Sequence, residues 1–209
     1  VEPTQPSIDL VTRVTTPGYH DFHRQSLGAR ARAPGKGVPV DVRMGLTGGP
    51  LGGGVGLDGV FSLEVGQLGL GAKVTGLDLP AEDGSGDSDQ ITLTQLHATF
   101  AAVAIDRLRL RAEAGVSLAR APDISFTGLS LGTSMEVCLG GPFDLEARVQ
   151  VTPFPYRQLD ALAGLAVNVR PLEVRAGYRV LVLDDQGLVD GVQHVDRFRG
   201  PYFGLGLGF

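Results

Sequence analysis

Gly128-Leu-Ser-Leu-Gly132 spells the G-x-S-x-G pattern, in which a serine held on a sharp strand-to-helix turn becomes a nucleophile with a histidine as its base. Here the pentapeptide lies inside an alternating stretch with no helix after it. His97 belongs to a stretch two strands away and deeper in the wall, so Ser130 reads as a strand residue. His20-Asp21-Phe22-His23, with His194 and Asp196 further on, has the residue types of an acid–histidine group. Two histidines three apart share one side of a helix but opposite sides of a strand, and solvated loop positions are the expectation. Ala81 to Gln90 alternates oxygen donors that could hold calcium weakly, yet lacks the glutamate that completes an EF-hand loop. Gly69-Leu-Gly-Ala-Lys73 has neither the spacing nor the following Ser or Thr of a phosphate loop. No enzymatic activity, cofactor or metal is expected.

The elements that would carry these residues are strands. Val38, Val40, Val42, Met44 and Leu46 alternate with Pro39, Asp41, Arg43, Gly45 and Thr47. The same period of two runs through 108–118, 143–151 and 172–180, where a helix would scatter the charges around its circumference. Strands are expected near 8–15, 20–33, 38–48, 52–65, 68–77, 91–104, 108–118, 127–139, 143–151, 159–169, 172–182 and 198–209. If the weak first one is absent, the count shifts to ten. Asp58-Gly59 is a second hairpin signal that competes with a turn at 66–67. Residues 1–7, with two prolines, read as a tail before a domain spanning 8–209. Connections near 34–37, 66–67, 105–107, 140–142 and 170–171 are tight. Those near 78–90, 119–126, 152–158 and 183–197 are long.

Composition narrows the class. Gly 31 in 209 residues is about twice average usage. No stretch approaches the roughly 18 to 20 apolar residues of a transmembrane helix. A net charge of -5 argues against nucleic acid as a partner. The lone Cys138 allows no internal disulfide. The start at Val1 reads as a mature exported chain whose leader was removed. Lys36 and Lys73 are the two lysines, and arginine supplies the other basic residues. Arginine suits bidentate carboxylate pairing in a confined space.

The final residues sharpen the picture. Phe203, Leu205, Leu207 and Phe209 alternate with Gly204, Gly206 and Gly208, giving an apolar ridge on one face and almost nothing on the other. A terminal strand of this kind resembles the assembly signal of the Gram-negative outer-membrane β-barrel superfamily, here Tyr202, Phe203, Leu205, Leu207 and Phe209. The resemblance implies an all-β, closed, antiparallel up-and-down transmembrane barrel of about twelve strands, with ten as the alternative. It also implies a monomer in the bacterial outer membrane, with tight turns in the periplasm and long loops outside. Implied partners are membrane lipid and lipopolysaccharide, the barrel-assembly machinery, and proteins of the envelope. A soluble sandwich fits less well, because its terminal strand would be a flat apolar edge. Tyr19, Phe22, Phe126, Phe154, Tyr156, Phe198 and Phe203 fall near outer strand ends, and Phe100, Phe143 and Phe209 near inner ends, as two girdles would.

In such a barrel the polar face is the lumen. Its inner half would carry Arg30, Arg32, Asp41, Arg43, Glu64, Arg109, Arg111, Glu113, Glu136, Asp144, Glu146, Arg148, Arg170, Glu173 and Arg175. Its outer half would carry Gly53, Gly54, Gly56, Gly128, Ser130, Gly132, Gly164, Gly200 and Gly204, a roomier vestibule. Arg109, Arg111, Glu113, Asp144, Glu146, Arg148, Glu173 and Arg175 are the expected lumen constriction of a porin-like passage for ions or small polar solutes. The alternative is a closed barrel whose charges only brace the wall, acting as a structural anchor or as a subunit of an envelope complex.

Overall fold

The computed structural model describes residues 40–80, 88–121, 124–169, 171–189 and 191–209. Ten strands follow one another: β1 (Val40–Leu51), β2 (Gly54–Val65), β3 (Leu68–Pro80), β4 (Ser88–Ile105), β5 (Leu108–Ala121), β6 (Ile124–Gly140), β7 (Phe143–Thr152), β8 (Arg157–Val169), β9 (Leu172–Asp184) and β10 (Val195–Gly208). Each pairs antiparallel with its sequence neighbours, and β10 pairs with β1, so the sheet is a closed up-and-down barrel. The count is ten, not twelve. Both edges of β1 are occupied, by β2 and β10, which leaves the ring no place for further strands. The stretches 8–15 and 20–33, with the tail before them, lie outside the described residues.

One end of the barrel is made of tight links at 66–67, 106–107, 141–142 and 170–171. Gly66 (φ 66) and Gly141 (φ 59) take the left-handed backbone that such turns need. The same end receives the last residue of β10's side, since Val42 and Phe209 exchange backbone hydrogen bonds. The opposite end carries the longer connections at 81–87, 153–156 and 185–194. Not all links there are long. β5 and β6 run on to Ala121 and Ile124, so the expected loop 119–126 is largely strand, and β1 turns into β2 through Gly52-Gly53. Asp58-Gly59 is not a turn; it sits mid-strand in β2 opposite Thr47 and Leu46.

The alternation sorts the faces. Leu46, Leu68, Phe203 and Leu205 are 59–66% exposed on the outer wall, while Asp58, Lys73, Arg111 and Arg179 are 3–5% exposed inside. This is the inverse of a water-soluble sandwich. Bulges at Ala101/Val103 in β4 and Cys138/Gly140 in β6 interrupt the ladders near the turn end. Phe126, Tyr156 and Phe198 do not join an outer girdle. Tyr156 and Phe198 are buried, and the Phe126 and Tyr156 rings meet at 6.2 Å inside the mouth. Phe154, Phe203, Phe100, Phe143 and Phe209 stand exposed outside.

Candidate functional site: a layered lumen

Four layers fill the bore, beginning at the turn end with a floor of ion pairs. Glu136 of β6 receives a two-pronged contact from Arg43 of β1 (2.6 and 3.2 Å) and a further bond from Arg111 of β5 (2.8 Å). Arg111 and Arg109 both pair with Glu64 of β2. Arg148 of β7 holds Glu113 of β5 (2.7 Å), and Arg175 pairs with Glu173 and lies 3.6 Å from Glu146. Asp144 accepts a bond from Asn168 (2.7 Å). Thus Arg109, Arg111, Glu113, Asp144, Glu146, Arg148, Glu173 and Arg175 all face inward, but they divide among separate pairs rather than lining one open ring. The Arg43–Glu136 contact joins β1 to β6, which lie across the ring from each other, so the floor spans the bore. Arg30, Arg32 and Arg170 lie outside the described residues.

Above the floor is a second ionic layer that the sequence reading left out. Arg179 of β9 places Nε and Nη2 on the two oxygens of Asp160 (2.8 Å each) and Nη1 on both oxygens of Asp58 (2.9 and 2.8 Å). Lys73 adds contacts to Asp160 (2.7 Å) and Asp58 (3.6 Å), and Thr75 and Thr47 complete Asp58's bonds. Two cations face two anions, so the buried charge cancels locally. Strand parity would have found them. Asp58 shares the face of Glu64, Lys73 that of Thr75, and Arg179 that of Arg175 and Glu173. A cavity of about 160 Å³ touches residues of both ionic layers, with Ser62, Thr99 and Ser134 among its walls.

Beside this layer, His97 and Ser130 meet, contrary to the sequence expectation. Both stand level with Gly115 of β5, which separates them in the ladder. Gly115 projects no side chain between them, and His97 Nε2 reaches Ser130 Oγ at 2.9 Å. A Cβ at Gly115 would collide with the Leu96 carbonyl oxygen and lie 2.8 Å from His97 Cα. Gln150 Nε2 also sits 2.9 Å from His97 Nε2. A nucleophile needs room for a reacting carbon. Ser130 is 0% exposed, and its hydroxyl is held in hydrogen-bonded packing with His97.

The third level pairs Ser117 of β5 with Tyr156 (2.7 Å), and Gln158 lies 3.4 Å from Ser117. Against it packs an apolar roof of Leu51, Leu77, Leu79, Leu93, Leu181 and Phe198. The expected glycine-lined vestibule at this level is therefore filled. A Cβ at Gly56 would stand in ordinary contact with Leu51 (3.4 Å) and Leu77 (3.5 Å). Leu77 and Leu79 lie on the inward parity of β3, where polar residues give way to apolar ones beyond Thr75. Above this roof, at the mouth, lies a hollow lined by Ile91, Ala119, Phe126, Tyr156 and Leu183.

Tyr202 also faces inward. Its hydroxyl donates to Glu146 (3.0 Å); a Cβ at Gly164 would come within 2.5 Å of that hydroxyl oxygen, and one at Gly177 within 2.8 Å of the ring. Phe203, Leu205 and Leu207 point outward, and Leu205 and Leu207 pair with Leu46 and Met44 of β1. His194 lies in the loop after β9, bonded to Asp185 at 3.2 Å, and Asp196 is the second residue of β10. His20 and His23 lie outside the described residues, as do 81–87 of the acidic stretch. Among the described residues no cluster of three metal-ligating side chains occurs.

No protein-family model matches the chain, and no curated protein matches it. Among solved structures, Neisserial surface protein A is similar at 16% identity and a TM-score of 0.41, over 81% of this chain and 97% of that one. CdiB from Acinetobacter baumannii is similar at 9% identity and a TM-score of 0.28, over 81% of this chain and 60% of its own length. Identities this low carry no residue roles across.

Proposed function

We propose that the protein is a closed β-barrel of the bacterial outer membrane, acting as a structural anchor or as a subunit of a cell-envelope complex reached through its loop end. One observation carries the reading: ion pairs, a second ionic layer and an apolar roof are stacked along the same bore. A passage for ions needs a continuous hydrated path, whereas these side chains are spent on one another. The eight residues Arg109, Arg111, Glu113, Asp144, Glu146, Arg148, Glu173 and Arg175 then brace the wall instead of selecting solutes. The apolar outer wall supports a lipid setting, because only a closed sheet leaves no unpaired backbone in hydrocarbon. In that setting the tight-turn end lies in the periplasm and the longer connections lie outside. Phe203, Leu205, Leu207 and Phe209 present the outward ridge to lipid and to the barrel-assembly machinery, and the barrel is a monomer.

The test is single-channel recording of the refolded chain in a planar bilayer, after heat-modifiable migration shows that it has folded. No steady current is expected. A steady ohmic current from the unaltered protein would overturn the reading in favour of porin-like passage. A membrane pull-down that returned only lipopolysaccharide and assembly factors would remove the envelope-complex half of the proposal.

A further inference from the structure

At the loop end, arginines collect on one side of the outer wall. Arg197 and Arg199 of β10 and Arg157 of β8 share the outward parity of Phe203, Leu205 and Leu159, and all three are exposed. β9 runs between them, with Val182 opposite Arg197 and Val180 opposite Arg199. Two strand spacings, roughly 10 Å, separate β8 from β10, a gap that arginine side chains can close. The described carboxylates at this end have other engagements. Asp184 stands opposite Arg157 and accepts from the side chains of Gln186 and Gln193. Asp185 accepts from Gly187 and His194, and Asp196 has the inward parity of Phe198 and Gly200. Arg157 is thus balanced in the ladder, while Arg197 and Arg199 face apolar neighbours on β9. Beyond β10 the adjoining chain is Pro50-Leu51-Gly52-Gly53, which carries no charge. Neither Arg197 nor Arg199 makes an ion pair with a described residue.

Their height decides what they can meet. From Phe209 at the turn end, the outward residues of β10 are Leu207, Leu205, Phe203 and Pro201, and Arg199 follows. The ten residues from Phe209 to Arg199, at about 3.3 Å each and a tilt of about 40°, climb about 25 Å, the height of the apolar band of an outer-membrane barrel. Arg157 likewise ends the outward apolar run from Val169 to Leu159 on β8. Tyr178, 50% exposed on β9 opposite Pro201, marks the same border, where interfacial tyrosines gather. With the loop end outside, these arginines stand where the headgroups of the outer leaflet begin.

We propose that Arg197 and Arg199, with Arg157 across β9, bind the phosphate of an outer-leaflet phosphoglycolipid whose acyl chains lie on the apolar wall below. Guanidinium groups take phosphate oxygens in a two-pronged geometry, and an anion relieves the repulsion between like charges two residues apart. Arg120 of β5, by contrast, stands between Thr92 of β4 and Ser125 of β6, with no second arginine beside it among the described residues. The inference rests on the outer-membrane reading, which puts the loop end at the outer surface.

The folded full chain in dodecyl maltoside is titrated with diphosphoryl lipid A, with fully dephosphorylated lipid A and with inorganic phosphate, and bound copies are counted by native mass spectrometry. One tightly held copy of diphosphoryl lipid A is expected, weakened by salt. Arg197→Gln and Arg199→Gln should each weaken it about fivefold, and the triple variant with Arg157→Gln about a hundredfold. Arg120→Gln, which removes the same charge elsewhere at the loop end, should leave the affinity unchanged. Equal binding with and without the phosphates would overturn the proposal, as would a triple variant that binds like the unaltered chain. Displacement of the lipid by inorganic phosphate would make this a free-anion site and overturn it too. Heat-modifiable migration shows which variants fold, and the two single variants decide the matter if the triple one does not. Removing the detergent separates the two readings. A chain that stays folded and monodisperse in water sinks the membrane reading and this site with it, whereas one that needs detergent but ignores the phosphates sinks the site alone.

Discussion

The two ends of the bore are closed by opposite chemistries. At the turn end, Arg43, Arg111 and Glu136 close it with directed charge pairs; at the loop end, Leu51, Leu93, Leu181 and Phe198 close it with undirected packing. The difference lies in what each layer requires of its neighbours. A buried guanidinium is tolerable only while its carboxylates are in place, so an ionic layer is sensitive to loss of a single member. An apolar layer has no partners to strand, and its loss scales with the volume removed.

The largest expected effect breaks the ionic side. Arg179→Met leaves Asp58 and Asp160 with only Lys73 between them, and should destabilise the barrel by about 3–5 kcal/mol in urea unfolding followed by circular dichroism. Replacing Asp58, Lys73, Asp160 and Arg179 together by apolar residues of similar volume should recover most of that loss. A quadruple variant no better than the single one would contradict the account of the layer. On the apolar side, Leu181→Ala, at a site 0% exposed, should cost about 2–5 kcal/mol, and adding a second large-to-small change in the roof should deepen the loss with no rescue.

Gly115 lies where polar packing depends on an absent side chain. Gly115→Ala should cost about 1–3 kcal/mol, because the new methyl meets the Leu96 carbonyl and parts His97 from Ser130. Ser130→Ala should cost only about 1 kcal/mol, the net worth of one hydrogen bond, as measured in the same titration. The smallest effect belongs to the mouth. Backbone N–H groups of His194 (2.8 Å) and Gly187 (2.9 Å) hold the Asp185 carboxyl below its ordinary 3.8. A carboxyl depressed in the folded loop stabilises it above the ordinary value, and that stabilisation is lost as pH falls through the depressed one. The amide resonances of Gly187 and His194, followed by NMR from neutral pH downward, should therefore shift together only on the acid side of that value.

Much of this molecule was legible in its alternation. The stretches expected near 38–48, 52–65, 68–77, 91–104, 108–118, 127–139, 143–151, 159–169, 172–182 and 198–209 each coincide with one of β1 to β10, and the polar parity of the charged runs is the inward one. A period of two is a local property, written residue by residue, so no distant contact is needed to read it. The roof was less legible, because Leu79 and Phe198 lie in stretches that look like loop or girdle until the strands are known to extend past them.

What only the tertiary structure decided is which inward residues meet. Arg179 and Asp58 are separated by 121 residues, and Arg43 and Glu136 by 93. Ring closure decides these meetings, since it fixes the number of strands and the stagger between them. Ten strands bring β1 against β10 and set His97, Gly115 and Ser130 abreast. Parity along one strand carries the direction in which a side chain points, whereas its partner across the bore depends on how all the strands close.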